Sequence, residues 1–97
     1  MLTYVSLYKW TEQGIKNVKE TTKRGAAATS AAERMGGRII NLFWTQGKYD
    51  LVLIAEFPDE DTAMAFNIAL AMQGNVTTQT LRAFSAADVD RVLSKVP

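Results

Sequence analysis

Arg38 to Pro58 reads RIINLFWTQGKYDLVLIAEFP, two apolar runs on either side of a Gly47-Lys48 step. Such a break between runs rich in Ile, Val, Phe and Trp is the pattern of a β-hairpin. Glycine supplies the backbone conformations a reversal needs, and the branched and aromatic side chains suit a pleated surface. With a two- or four-residue loop centred on Gly47-Lys48, Trp44 faces Leu51, Leu42 faces Leu53 and Ile40 faces Ala55 on one side of the sheet. The other side pairs Phe43 with Val52, Asn41 with Ile54 and Ile39 with Glu56. A loop one residue different in length would turn one strand over. This register is preferred because it gathers the interior polar residues Asn41 and Glu56 on one face.

Upstream of the hairpin, Glu20 to Met35 is predicted to be helical, with Ala26, Ala27, Ala28, Ala31, Ala32 and Met35 as its apolar positions. Alanine favours helix and allows close approach to a sheet. Gly36-Gly37 stops it. Before that, Leu2 to Lys9 alternates as a strand, with Thr3, Val5 and Leu7 on one face and Tyr4, Ser6 and Tyr8 on the other. Thr11 then caps a short helical turn, Glu12 to Lys16. Downstream, Pro58 ends the second hairpin strand and Asp59 caps a helix from Glu60 to Gln73, with Glu60 and Asp61 favourably placed in its first turn. That helix carries Ala63, Phe66 and Leu70 as a sheet-facing stripe and Met64, Ile68 and Met72 as a second one. Val76 to Phe84 is a last strand. Ser85 and Asp88 begin a terminal helix, Ala86 to about Lys95, whose Val89, Val92, Leu93 and Val96 are expected to pack back on the body.

The order strand, helix, strand, strand, helix, strand defines an α+β, ferredoxin-like βαββαβ fold. Right-handed crossovers give an antiparallel sheet of spatial order 4-1-3-2 with the long helices on one face, plus the C-terminal helix. Residues 1–97 form one such domain. If the more apolar face lies under the helices, the core holds Val5, Leu7, Ile40, Leu42, Trp44, Leu51, Leu53, Ala55, Leu81 and Ala83. The opposite face then carries Tyr4, Ser6, Tyr8, Ile39, Asn41, Phe43, Val52, Ile54, Glu56, Thr78, Thr80 and Arg82. Ile39, Phe43, Val52 and Ile54 would form an apolar patch open to water, which predicts a homodimer or higher homo-oligomer joined sheet to sheet.

Composition removes several chemistries. There is no cysteine and no histidine, so disulfides, thiolate nucleophiles, Ser-His triads and the commonest transition-metal sites are excluded. Neither a phosphate loop nor a dinucleotide fingerprint is present, and no cofactor is expected. Eleven basic against ten acidic residues give a formal charge of +1, which argues for no nucleic-acid and no membrane partner. The consecutive carboxylates Asp59, Glu60 and Asp61 are explained by helix-start chemistry, and no metal is expected there. No apolar run approaches the roughly 18 residues of a membrane span, and the opening MLTYVSLYKW lacks the features of a secretion signal. The expectation is a cytoplasmic protein.

Three groups of residues are candidates for function. Gly47, Tyr49 and Asp50 are explained first by turn chemistry: a positive φ at glycine, an aspartate accepting a backbone N–H, and a tyrosine over the hairpin end. Glu56 ends the run LVLIA and needs a partner, because a buried unpaired carboxylate is costly. It should lie at the same end of the sheet as Tyr4 and Arg82. Tyr8, Trp10, Thr11 and Lys16 gather near the other end, where aromatic rings either close the core or stack on a planar ligand with Lys16 as its counter-charge.

These residues also carry a resemblance. Trp44-Thr45-Gln46-Gly47-Lys48-Tyr49-Asp50-Leu51-Val52, followed by Glu56-Phe57-Pro58-Asp59, resembles the signature of the GYD-domain family. So do Tyr8-Lys9-Trp10-Thr11 with Gln13-Gly14-Ile15-Lys16, and Gly74-Asn75-Val76 through Thr80-Leu81-Arg82-Ala83-Phe84. Lys48 separates Gly47 from Tyr49, so the grouping here is Gly-x-Tyr-Asp. The resemblance implies a small ferredoxin-like protein of dimeric α/β-barrel type, from a family whose biochemical role is uncharacterised.

The function expected from all this is a homodimer that binds a small molecule between sheet faces, lined by Tyr4, Tyr8, Phe43, Ile54, Glu56 and Arg82. One alternative is a cofactor-independent enzyme using Glu56 or Tyr4 as acid/base, which rests on fold analogy alone. The other is a structural or assembly protein with no ligand. Whether the chain is an enzyme is left open by its residues.

Overall fold

The computed structural model describes residues 1–97. The elements follow the order β1 (Leu2–Trp10), α1 (Glu12–Lys16), a 3₁₀ turn (Val18–Glu20), α2 (Thr21–Arg34), β2 (Arg38–Trp44), β3 (Leu51–Phe57), α3 (Glu60–Met72), β4 (Val76–Ala83) and α4 (Ala86–Leu93). The four strands form one antiparallel sheet in the order β2-β3-β1-β4, which is the expected 4-1-3-2 arrangement. The predicted caps form. The Thr11 side chain accepts from Gly14 N–H, Asp59 accepts from Thr62 N–H at 2.7 Å, and Ser85 with Asp88 makes a reciprocal capping box. No helix is long and apolar enough to cross a membrane.

The hairpin keeps the predicted register from its tip inward: Trp44 opposes Leu51, Phe43 opposes Val52, Leu42 opposes Leu53 and Asn41 opposes Ile54. A bulge at Ile40 then shifts the remaining pairs, so Ile39 opposes Ala55 and Arg38 opposes Glu56. An extra residue in one strand reverses which face its neighbours occupy. Ile39 therefore packs against the core, and Ile40, expected there, is 42% exposed.

The two outer pairings correct the expected faces. Tyr4 stands opposite Ala55 and Arg82, Ser6 opposite Leu53 and Thr80, and Tyr8 opposite Leu51 and Thr78. Since Leu51, Leu53 and Ala55 lie under the helices, Tyr4, Ser6, Tyr8, Thr78, Thr80 and Arg82 share that covered face. Val5, Leu7, Leu81 and Ala83, expected in the core, turn to the open face with Phe43, Val52 and Ile54.

The core is built from Tyr8, Ala32, Leu51, Leu53, Ala55, Phe57, Ala63 and Phe66. Ala32 lets α2 approach the sheet, while Phe66 of α3 stacks at 5.0 Å against Phe57 and Tyr4 meets Phe57 edge-on at 6.4 Å. Ser6, a buried polar residue on this face, hydrogen-bonds the Thr80 hydroxyl at 2.9 Å. Of the two stripes on α3, Ala63, Phe66 and Leu70 pack inward, and Met64, Ile68 and Met72 are exposed. Helix α4 does not fold back as expected. None of its residues is buried, and Val89, Val92, Leu93 and Val96 all remain open to solvent.

Candidate functional site

The Gly-x-Tyr-Asp turn ties the hairpin tip to β1. Gly47 has φ +119°, a conformation that L side chains rarely adopt. Asp50 N–H donates to the Tyr8 carbonyl at 2.8 Å, and its carboxylate accepts from Trp10 N–H at 2.9 Å. The aspartate thus accepts a backbone N–H, as turn chemistry suggested, but the donor belongs to β1 and not to the hairpin. The Tyr49 hydroxyl donates to Gln79 Oε1 at 2.7 Å, and its ring lies beneath the Lys9 and Lys48 ammonium groups, each 5.7 Å from the ring centre. Leu7, Lys9, Tyr49, Thr77, Thr78 and Gln79 surround a shallow depression of about 190 Å³ beside this turn.

The six residues expected to line one ligand site do not share a surface. Phe43, Ile54 and Glu56 stand on the open face; Tyr4, Tyr8 and Arg82 stand on the covered one. Glu56 has the partner it required, but on β2: the Arg38 Nε–H donates to Glu56 Oε1 at 2.8 Å. The Ile40 bulge is what brings these two side chains opposite each other. Arg82 donates to the backbone carbonyls of Thr3 and Ala83, and its guanidinium lies 4.5 Å from the Phe84 ring and 5.7 Å from that of Tyr4. The Tyr4 phenol titrates above its ordinary range because it is desolvated, with Glu60 reinforcing the shift and Arg82 opposing it. Glu56 and Tyr4 therefore sit on opposite faces and do not form one acid/base pair.

Two residues of the other predicted cluster do converge. Tyr8 and Trp10 line a half-open cleft of about 60 Å³ on the covered side, between the end of β1, the first turns of α2 and the end of α3. Lys16 is not part of it; it pairs with Glu12 at 3.3 Å on an exposed turn. The cleft's charged residue is Arg24 of α2. Nothing singled out Arg24 in the sequence, although a signal was available. It lies on the α2 stripe that continues through Ala28, Ala31 and Met35, where a charged residue breaks an otherwise sheet-facing apolar row.

The rim of the cleft is held by α1. Thr11 N–H donates to the Asn75 carbonyl at 3.0 Å, the Thr11 hydroxyl donates to the Gly74 carbonyl at 2.6 Å, and the Gln13 amide donates to Asn75 Oδ1 and the Gln73 carbonyl, both at 2.9 Å. This docking requires glycine at position 14, since a Cβ there would fall 2.0 Å from the Asn75 carbonyl oxygen. Burial raises the Tyr8 phenol above its usual titration range. The Ser6 and Thr78 hydroxyls lie near enough to the phenol to oppose that shift as weak hydrogen-bonding neighbours, but neither meets the Tyr8 hydroxyl at hydrogen-bond distance and angle.

A ferredoxin-like α+β domain with one sheet face left uncovered and a small cleft under its helices is the class these features define. Within it, the chain belongs to the GYD domain family, which matches residues 4–93. A relative from Thermus thermophilus, named "Glutamine synthetase and cystathionine beta-lyase binding protein", is 30% identical over 90 residues, spanning 92% of this chain and 95% of its own length. No solved structure matches the chain.

Proposed function

We propose that the protein is a homodimeric binding protein whose open sheet face meets the same face of a second copy. The observation that carries this reading is the composition of that face: Val5, Leu7, Phe43, Val52, Ile54 and Leu81 share it, with no helix across it, and Phe43 is 55% and Leu81 46% exposed. A contiguous apolar surface of this kind is stabilised by exclusion from water, and a face that meets its own copy satisfies both protomers with one interface. Helix α4 supports the same conclusion, because its Val89, Val92 and Leu93 find no burial within their own chain. In this reading α4 packs against the partner.

The Thermus relative's name supports a role in binding other proteins. In a face-to-face dimer the helices lie outermost, so the exposed Met64, Ile68 and Met72 stripe of α3 stays free for such a partner. The open face supports an interface in preference to a ligand pocket, because three of the six residues expected to line that pocket lie on the other side of the sheet. Light scattering tests the reading. Phe43→Lys and Leu81→Lys each place a charge in the interface and are expected to convert the dimer to a folded monomer. A variant that keeps the wild-type mass at micromolar concentration would overturn it.

A further inference from the structure

We propose that the cleft between the sheet and the start of α2 binds a small monocarboxylate with a short apolar body. Three buried side-chain atoms in the molecule lack a hydrogen-bond partner: the Tyr8 hydroxyl, the Trp10 Nε1–H and Arg24 Nη2. All three residues line this one cleft. Buried polar groups are nearly always paired, so three unpaired ones around a single space mark a place built to be occupied.

Their chemistry specifies the occupant. An indole N–H and a guanidinium N–H can only donate, and a tyrosine hydroxyl can donate as well. The occupant must therefore present acceptors. Arg24 is fixed by Nη1, which donates to the Asn17 carbonyl at 2.7 Å, and this leaves Nη2 free to point elsewhere. The arginine joins none of the chain's four ion pairs, and no aspartate or glutamate lines the cleft. One uncompensated positive charge calls for one negative charge.

The remaining walls are mainly apolar, with Leu42, Leu51, Leu53 and Leu70; of the other polar lining residues, Thr21 accepts from the Trp44 indole and Asn75 Oδ1 from the Gln13 amide. A phosphate would bring close to two negative charges against the single charge of Arg24, and the surplus would be buried against leucine. A carboxylate matches the donor set, with one negative charge for the arginine and two acceptor oxygens to share among the guanidinium, the indole and the tyrosine hydroxyl. A cavity of about 60 Å³ admits a short aliphatic acid and excludes a sugar or nucleotide. The site lies on the covered side of the sheet and does not depend on the dimer interface.

The test uses the full chain labelled with 5-fluorotryptophan. The chain has two tryptophans, Trp10 and Trp44, and Trp44→Phe assigns the two fluorine resonances. Propionate, propionamide and sodium chloride are titrated at matched ionic strength and neutral pH. Propionate is expected to shift the Trp10 resonance saturably, propionamide to bind at least tenfold more weakly, and chloride to give no saturable shift. Arg24→Gln is expected to weaken propionate at least tenfold with unchanged far-ultraviolet circular dichroism. Should that variant fail to fold, the comparison of acid with amide on the wild-type chain decides alone. Absence of saturation by propionate, which is what donors holding only water would give, overturns the proposal. So does an equal response to acid and amide, or an Arg24→Gln variant that binds propionate as well as wild type.

Discussion

The covered face of the sheet carries Tyr4, Ser6, Tyr8, Thr80 and Arg82 beside its leucines and Phe57, whereas the open face has Val5, Leu7, Phe43, Val52, Ile54 and Leu81 at its centre, bordered by Thr3, Lys9, Asn41, Glu56, Thr77 and Gln79. A chain that functioned alone would favour polar residues at the centre of the face that its helices leave uncovered. The difference is what the proposed sheet-to-sheet dimer accounts for, since its second copy would cover that centre. It also shows how the covered side tolerates polar groups: the Ser6 and Thr80 hydroxyls satisfy each other, Arg82 is held by backbone carbonyls, and the groups left unpaired gather around one cleft.

The contrast between the faces can be broken most forcefully at Phe66, which is almost completely buried on the covered side. Phe66→Ala is expected to lower folding stability by ~3–5 kcal/mol, read from urea denaturation of the monomeric Phe43→Lys background so that dimerisation does not contribute. Leu81→Ala in the same background should cost less than ~1 kcal/mol, because a residue already half in water loses little on truncation. Equal effects at the two positions would erase the distinction on which the account rests.

A smaller effect is expected at Ser6. Ser6→Ala removes its bond to Thr80, whose hydroxyl keeps a second contact with Thr78 at 3.1 Å. The loss should be ~0.5–1.5 kcal/mol by the same denaturation measurement.

The smallest and most local effect concerns acid. The Asp88 carboxyl titrates below its ordinary range because it accepts from the Ser85 backbone N–H and, secondarily, pairs with Arg91. Asp59 is lowered likewise by its bonds to Thr62. A carboxyl whose folded pKa is depressed stabilises the fold above its unfolded pKa, and that contribution disappears as pH falls through the folded value. Helix α3 has Phe66 and Ala63 buried and should survive the loss of its cap, whereas α4 has no buried residue. In the monomeric variant, α4 should therefore lose its helical carbon chemical shifts below the ordinary carboxylate range while α3 keeps them. Simultaneous loss of both would contradict the reading of α4 as unsupported within its own chain.

What could be read from residues alone follows the same division. The register of β2 on β3 was legible from Trp44 to Asn41 because a short turn joins the two strands and leaves them little freedom. It was lost at Ile40, where a bulge has no local signature in RIIN, and with it went the Arg38–Glu56 pair. The faces of β1 and β4 were not legible, because helical crossovers connect those strands and do not fix which alternate residues point inward. The rule that the more apolar set lies under the helices misled within β1, because Tyr4 and Tyr8, which flank the polar Ser6, bring their large rings to the leucine face in place of Val5 and Leu7. The amphipathic pattern and capping box of α4 were plain, but neither says that its own chain leaves the apolar side of the helix unburied. Tyr8 and Trp10 share a cleft because they are two apart on one strand, whereas Arg24 joins them only where α2 crosses the sheet.

Sedimentation equilibrium of the wild-type chain over a range of concentrations is the most direct test of the sheet-to-sheet interface. The account predicts a mass twice the 10.7 kDa of one chain, reduced to that of a single folded chain by Phe43→Lys. A wild-type protein that sediments as a monomer throughout the micromolar range would contradict it.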